Sequence, residues 1–207
     1  MDAASARCWR CLGGVAFTEV ELQFRNPSVE KLPRKEILKI QERKLKAAVK
    51  RAFQVPFIRR KMREQGVAPD DIRGLEDLSK LPFTTKEDLL KGDLFDALAV
   101  PRSNVVRVHT SSGTTNRPVV TFYTRSDLET WSELLARNLA ATGAKPGDVF
   151  LNTAGQGMFT GGLGYIAGAE RLGLTVVPMG PASPERQLEV MKIFGVTVFH
   201  AIPSFAL

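Results

Sequence analysis

Apolar positions in the first hundred residues follow helical spacing. Between residues 33 and 53 they fall near one face and basic side chains cover the rest, a pattern that predicts an amphipathic helix. A shorter helix is predicted over 57–65, because Gly66 follows it and glycine commonly closes helices. We therefore expect a mainly helical region over 25–100, preceded by a poorly ordered N-terminus over 1–24.

Three local patterns predict further helix starts. In a capping box, a Ser or Thr hydroxyl and an acid three residues later satisfy each other's backbone N–H groups. Thr84–Glu87 fits this pattern and opens a helix through Leu90, and Ser126–Glu129 opens a helix that ends at Gly143. Ser183–Pro184 offers a capping hydroxyl followed by a first-turn proline, which predicts another helix start.

Beyond residue 101 the pattern of hydrophobic positions changes to that of strands. The segments 105–109 and 119–123 are rich in β-branched residues, and apolar runs follow at 148–152, 174–178 and 196–199. The last three alternate with helical patterns, which favours a parallel sheet. The predicted fold class is α/β, a mostly parallel sheet with flanking helices.

The end of the sequence predicts an incomplete domain. Pro203–Leu207 has the form of a helix start, yet no closing signal follows it. We expect residues 101–207 to form an α/β part that is truncated at its C-terminal end.

Composition excludes wholesale disorder, because 43% of the 207 residues are hydrophobic and 25% are charged. No apolar run approaches the roughly 20 residues of a membrane span, and no export signal is recognisable, so we expect a cytoplasmic protein that does not enter a membrane. Cys8 and Cys11 lack two further nearby ligands for a zinc site, so we expect a reduced pair and no protein-bound metal.

The positive charge is concentrated in one segment. Residues 31–63 contain thirteen Lys or Arg and only two acids, a local charge of +11 in a chain whose net charge is +7. A nucleic-acid or anionic-membrane binder is one interpretation. Only Phe53 and Phe57 could stack on bases there, so we favour a solvated amphipathic helix and expect no nucleic-acid partner.

A polar loop lies between the first two predicted strands and carries the candidate chemistry. It reads Thr110-Ser111-Ser112-Gly113-Thr114-Thr115-Asn116-Arg117-Pro118. Hydroxyl and backbone N–H groups can donate to phosphate oxygens, glycine permits close approach, and the guanidinium adds positive charge. The loop lacks the G-x-x-x-x-G-K-[ST] pattern of a Walker A motif. Taken alone, a Ser/Thr-rich surface hairpin remains the alternative.

The loop resembles the phosphate loop of the adenylate-forming superfamily. Four further segments in the same order narrow the resemblance: Leu81–Leu89, Gly143–Asp148, Phe159–Gly164 and Gly168–Gly173. Together they are similar to the phenylacetate–CoA ligase family over about residues 25–207.

The resemblance implies a two-step reaction. The carboxylate of an aryl or related acid would attack the α-phosphate of ATP, with Mg²⁺ present, to give an acyl-adenylate and pyrophosphate. The thiol of coenzyme A would then displace AMP to give the thioester. The residues implied in phosphate binding are Ser111, Ser112, Gly113, Thr114, Thr115, Asn116 and Arg117. The catalytic residues are expected beyond Leu207, so this chain alone is expected to be inactive. The resemblance also implies a homodimer.

The resemblance further implies that the glycine-rich segment 154–164 forms the wall of the acyl pocket. The implied substrate-binding residues are Ala154, Gln156, Phe159, Thr160 and Gly161. Asn116 and Arg117 stand where the family usually has Gly and Lys, and Ala154 and Gln156 where it usually has Tyr. Losing two aromatics should open or polarise the pocket, which favours a larger aryl acid or another organic acid over phenylacetate. The alternative function is a non-catalytic polyphosphate-binding fragment or pseudoenzyme remnant.

Two histidines are candidates for roles near these segments. His109 ends the strand before the polar loop, where we expect a hydrogen-bonded structural histidine. His200 follows an apolar strand and could face either the acyl pocket or the core.

Overall fold

The computed structural model describes residues 24–111, 118–158 and 160–206. Its first part is helical. The α-helices there are α1 (Pro27–Glu30), α2 (Arg34–Ala52), α3 (Pro56–Glu64) and α4 (Lys86–Leu90), and short 3₁₀ turns cover Pro69–Asp71, Leu75–Lys80, Leu94–Ala97 and Arg102–Asn104. The predicted helices over 33–53 and 57–65 are thereby confirmed. None of the helices in the described part of the chain has both the length and the apolar character needed to cross a membrane.

A small hydrophobic core holds the helical part together. Val49 of α2, Met62 of α3 and Ile72 are buried against one another. The apolar stripe of α2 is narrow, since Val49 is its only buried residue and its basic side chains face outward. Lys61 of α3 binds the carboxylate of Asp88 in α4 at 2.5 Å, which joins the two helices.

Two strands then form an antiparallel hairpin. Strand β1 (Val105–Thr110) pairs with β2 (Val120–Thr124), and Thr110 lies opposite Val120 at the open end of the polar loop. Both predicted strands are confirmed, with bounds shifted by one residue or less. The pairing is antiparallel, because the two strands are joined by a loop too short for the helical crossover that parallel pairing needs.

A parallel sheet follows, as predicted. Its strands are β3 (Val149–Asn152), β4 (Thr175–Val177) and β5 (Val198–His200), in the order β4-β3-β5. The helices around it are α5 (Arg125–Ala141), α6 (Thr160–Leu172), α7 (Pro184–Phe194) and α8 (Pro203–Ala206). Phe150 of β3 is fully buried in the core between this sheet and the α5–α6 pair.

Helices α5 and α6 pack unusually closely, because glycines face the contact. A Cβ added at Gly168 would lie 2.5 Å from the Cβ of Leu135, and one added at Gly164 would collide with the indole of Trp131. The close approach lets Ala136 and Ala169 be fully buried between the helices. The glycine-rich segment therefore continues into α6, which begins at Thr160.

An ionic cluster joins the helical part to this pair of helices. The carboxylate of Glu133 in α5 binds the guanidinium groups of Arg25, Arg137 and Arg171 at 3.2, 3.3 and 2.8 Å. These guanidinium groups, with that of Arg171 first, lower the pKa of Glu133 to about 2. The cluster connects segments more than a hundred residues apart in sequence.

Both predicted capping boxes are wrong, by one residue at α4 and by two at α5. Helix α4 is capped by Thr85 with Asp88, not by Thr84 with Glu87. Helix α5 is capped by Thr124 with Asp127. Ser126 is therefore not the cap as predicted, because Thr124 ends β2 in extended backbone and the helix follows without a connecting loop.

The third predicted helix start is confirmed. The Ser183 hydroxyl accepts the Arg186 N–H at the start of α7. Gly195 ends that helix in the left-handed region, with φ of +60°.

Candidate functional site

The polar loop leaves the hairpin through a closed neck. The Ser111 N–H donates to the Val119 carbonyl at 2.9 Å, and the Val119 N–H donates to the Ser111 hydroxyl at 3.0 Å. The remaining predicted phosphate-binding residues, 112–117, lie outside the described residues. The neck holds Ser111 and Val119, which flank that segment, next to each other.

A single carbonyl fastens the neck to the glycine-rich segment. The Thr110 N–H and the Nδ1 of His109 both lie 3.0 Å from the Met158 carbonyl oxygen. Because a carbonyl only accepts, Nδ1 of His109 carries the proton. The ring of His109 is buried and meets Tyr123 and Trp131 edge-on, with centroid distances of 5.3 and 5.4 Å. The prediction of a hydrogen-bonded structural histidine is confirmed.

The carboxyl edge of the parallel sheet forms the floor beside this junction. Thr153 directs both its N–H and its hydroxyl to the His200 carbonyl, at 3.1 and 3.0 Å. The Asn152 carbonyl accepts the Gly180 N–H, which ties β3 to the segment after β4. In open α/β sheets ligands bind outside the carboxyl ends of the strands, so this edge is the natural place for a small molecule.

Four of the five predicted substrate-binding residues lie along this edge. Ala154 is half-buried directly after β3, and Gln156 is exposed, with its amide donating to the Pro178 carbonyl at 2.9 Å. Thr160 and Gly161 form the exposed first turn of α6. Phe159, the fifth, lies outside the described residues. Whether these residues bind substrate stays a prediction.

The start of α6 presses onto the segment that precedes it. A Cβ at Gly162 would collide with the carbonyl oxygen of Gly155, so only glycine fits there. Gly157, by contrast, has open space around its Cβ position. The segment between β3 and α6 is therefore held against the helix at one point and accessible at another.

His200 ends β5 at the same edge. Its ring lies 4.1 Å from that of Tyr165 and 6.1 Å from that of Phe150, measured between centroids. Its Nδ1 is 2.7 Å from Oδ1 of Asn152, a side chain that is fully buried. Burial lowers the pKa of His200. Asn152 is not among the predicted site residues, although a polar residue that closes an apolar strand is a detectable signal.

A cavity of about 540 Å³ lies elsewhere, between the helical part and the hairpin. Its walls include Leu98, Val100, Val120 and Phe122, and none of the predicted site residues lines it. Because no polar group from the described parts of the polar loop or of the glycine-rich segment lines this cavity, we do not assign ATP or acid binding to it.

The described ranges contain no group of three or more His, Cys, Asp or Glu placed to hold a metal ion. No residue in these ranges is assigned as a Mg²⁺ ligand.

Comparison with known proteins shows which enzymes this chain resembles. No protein-family model matches the chain. The phenylacetate-coenzyme A ligase of Thermus thermophilus is 48% identical over 181 residues, which is 87% of this chain and 41% of the relative. That of Escherichia coli is 45% identical over 173 residues, covering 83% of this chain and 40% of the relative. The chain is thus similar to phenylacetate-coenzyme A ligases along most of its own length. It spans about two fifths of the length of these curated relatives.

Solved structures agree with this assignment. A crystal structure of 2-hydroxyisobutyryl-CoA ligase in complex with 2-HIB-AMP and CoA, in the thioesterification state, matches with a TM-score of 0.78 and 31% identity. The match covers 84% of this chain and 39% of that one. An open conformation of the same ligase matches with a TM-score of 0.77. The predicted fold class and family resemblance are thus confirmed.

Proposed function

We propose that the protein serves in the ATP-dependent activation of an organic acid, as a phenylacetate–CoA ligase-like acid–thiol ligase. The acid carboxylate attacks the α-phosphorus of ATP, the bond to pyrophosphate breaks, and an acyl-adenylate forms. The thiol of coenzyme A then attacks the acyl carbon and AMP leaves. One observation carries the proposal: the neck of the polar loop is hydrogen-bonded to the glycine-rich segment through Met158.

The polar loop would hold the β- and γ-phosphates. Ser111, the one predicted phosphate-binding residue within the described ranges, is exposed at the neck. In our proposal its neighbours Ser112 to Arg117 supply hydroxyl, backbone and guanidinium donors, which offset charge that builds on the departing pyrophosphate. Mg²⁺ would arrive with the triphosphate and neutralise part of its charge.

The glycine-rich segment would hold the acid. It lies at the carboxyl edge of the sheet, directly beside the loop neck, so an acid there would sit next to the triphosphate whose α-phosphorus it must attack. In our proposal Ala154, Gln156, Phe159, Thr160 and Gly161 form its wall. Proximity of the two segments supports the proposal, because their separation is set by two hydrogen bonds rather than by a long flexible connection.

ATP binding to the 207-residue chain tests the phosphate site. We expect ATP to raise the unfolding temperature more than AMP does, since the proposed contacts are to the β- and γ-phosphates. Arg117→Ala should weaken that effect. Arg125→Ala removes the same charge at the opposite end of β2 and should leave it unchanged.

Two results would contradict the proposal in different ways. If ATP and AMP stabilise the chain equally, or if the two arginine variants have equal effects, the proposed phosphate site is wrong. Normal ATP binding with no response to any aryl or hydroxy acid would favour the alternative of a non-catalytic polyphosphate-binding protein.

A further inference from the structure

The hydrogen bonds of Asn152 fix which nitrogen of His200 carries the proton. The Asn152 amide nitrogen donates to the Ala154 carbonyl at 3.1 Å, so its oxygen must be the atom that faces His200. That oxygen lies 2.7 Å from Nδ1 of His200 and can only accept. Nδ1 is therefore the protonated nitrogen, and in the neutral ring Nε2 bears a lone pair.

The lone pair on Nε2 is open to an incoming molecule. Nε2 lies across the ring from Nδ1, and no residue in the described ranges hydrogen-bonds to it. In these ranges the one buried side-chain nitrogen or oxygen without a partner is Nε2 of His109, so Nε2 of His200 is accessible. Burial of the ring lowers the pKa of His200 and favours this neutral form.

The accessible nitrogen is built into the proposed acid site. The backbone carbonyl of His200 receives both hydrogen bonds from Thr153, and its side chain is held by Asn152. These two residues lead directly into the glycine-rich segment at Ala154. The ring of Tyr165, from α6, covers one face of the imidazole at 4.1 Å. The two rings together form an aromatic wall, with Nε2 of His200 as a hydrogen-bond acceptor at its edge.

We infer that His200 contacts the acyl part of the substrate as a hydrogen-bond acceptor and selects acids that carry a donor group, such as a hydroxyl, in addition to their carboxylate. The inference rests on the proposed function. An ionised carboxylate has no proton to donate and is repelled by a lone pair, so Nε2 does not hydrogen-bond to the carboxylate itself. An acid without a donor would leave this acceptor unpaired in a desolvated pocket, which costs affinity.

Histidine NMR on the whole chain tests the inference directly, because His109 and His200 are the only two histidines in the sequence. With ¹⁵N-labelled histidine, both rings should show the Nδ1–H tautomer. Phenylacetate and its 2-, 3- and 4-hydroxy derivatives are then titrated in the presence of ATP. A hydroxylated acid should shift the Nε2 resonance of His200, while phenylacetate should not. His109, whose Nε2 is buried, serves as the internal control.

Two variants test whether the change in the Nε2 resonance of His200 reflects a contact that contributes to acid binding. His200→Leu should weaken binding of the preferred hydroxylated acid by about threefold to tenfold, the usual effect of one neutral hydrogen bond, and leave phenylacetate unchanged. His200→Gln keeps an acceptor near the Nε2 position and should recover part of the loss.

An Nε2–H tautomer at His200 would overturn the inference. So would equal affinities for phenylacetate and all three hydroxy acids in a chain that binds them, which would leave the proposed function intact. If neither kind of acid binds while ATP does, the proposed function fails and the inference fails with it.

Discussion

Gly168 lies where α6 crosses α5, and Gly168→Ala adds one methyl group at that crossing. The new Cβ would lie 2.5 Å from Cβ of Leu135, 2.9 Å from its carbonyl carbon and 3.0 Å from the backbone nitrogen of Ala136. Two of these atoms belong to the backbone of α5, so no side-chain rotation relieves the contact. The two helices must move apart, which loosens the packing around Ala169 and Phe150.

The magnitude follows from two opposing terms. Forcing a methyl group into a packed core costs about 1–3 kcal/mol. Alanine is better than glycine inside a helix by about 1 kcal/mol, which offsets part of that cost. We therefore expect Gly168→Ala to lower the free energy of unfolding by up to about 2 kcal/mol. In a chain of this size, that loss lowers the unfolding temperature by up to about 8 °C.

Gly161→Ala is the matched control, because Gly161 is in the same helix and has nothing within 4 Å of its Cβ position. It should leave stability unchanged or raise it by up to about 1 kcal/mol. Urea unfolding followed by far-ultraviolet circular dichroism gives both free energies on the 207-residue chain. Comparing the two variants removes most of the helix-propensity term and isolates the packing cost.

Equal stability of the two alanine variants would refute the close helix crossing. It would mean that α5 and α6 are separated enough to accept a methyl group, and that the glycines at this contact are not required by packing. A still larger loss in Gly168→Val, with Gly161→Val only mildly affected, would strengthen the reasoning.

Two further predictions concern helix α5. Thr124→Ala removes the helix cap and should lower the free energy of unfolding in urea by about 1 kcal/mol. Ser126→Ala, at the exposed position that the sequence pattern predicted as the cap, should leave that free energy unchanged. A larger loss in Ser126→Ala than in Thr124→Ala would support the original sequence prediction. Glu133→Gln should cost about 1–2 kcal/mol near pH 7. Since the pKa of Glu133 falls from 4.5 to about 2 on folding, its contribution is complete above pH 4.5 and is lost as the pH falls toward 2. Thermal unfolding against pH should therefore show a smaller acid-side loss in the variant, and parallel curves would contradict the role of Arg171 and its partners.

Signals confined to a few neighbouring residues were readable from the sequence. Ser183 followed by proline, and Gly195 eleven residues later, bounded α7 correctly because cap chemistry depends only on local backbone geometry. The errors at α4 and α5 have the same origin. At each of these helix starts, two overlapping pairs of a hydroxyl residue and an acid fit the capping-box pattern. Which pair caps the helix depends on where the preceding strand or loop ends, and the local sequence pattern does not show that.

The ionic cluster around Glu133 shows the opposite case. Arg25 is 108 residues away and Arg171 is 38 residues away, and neither position is marked by any local pattern. Each arginine is one of many basic residues in a chain of net charge +7. Selecting Arg25 and Arg171 requires knowledge of how α5, α6 and the helical part are arranged, so these two members of the cluster could be found only in the fold.

The Asn152–His200 pair lies between these extremes, and strand register explains why. Parallel pairing places Asn152 of β3 directly beside His200 of β5, so the last residues of two neighbouring strands must meet at the carboxyl edge. The sequence predicted both strands, but their adjacency depends on the order β4-β3-β5, in which the chain passes to the far side of β3 after β4. Once that order is known, the buried amide, the tautomer of the histidine and the exposed acceptor follow from hydrogen-bond chemistry alone. A polar residue that ends one buried strand is therefore best interpreted together with the last residue of each candidate neighbour, because in a parallel sheet these are the side chains that can build a site.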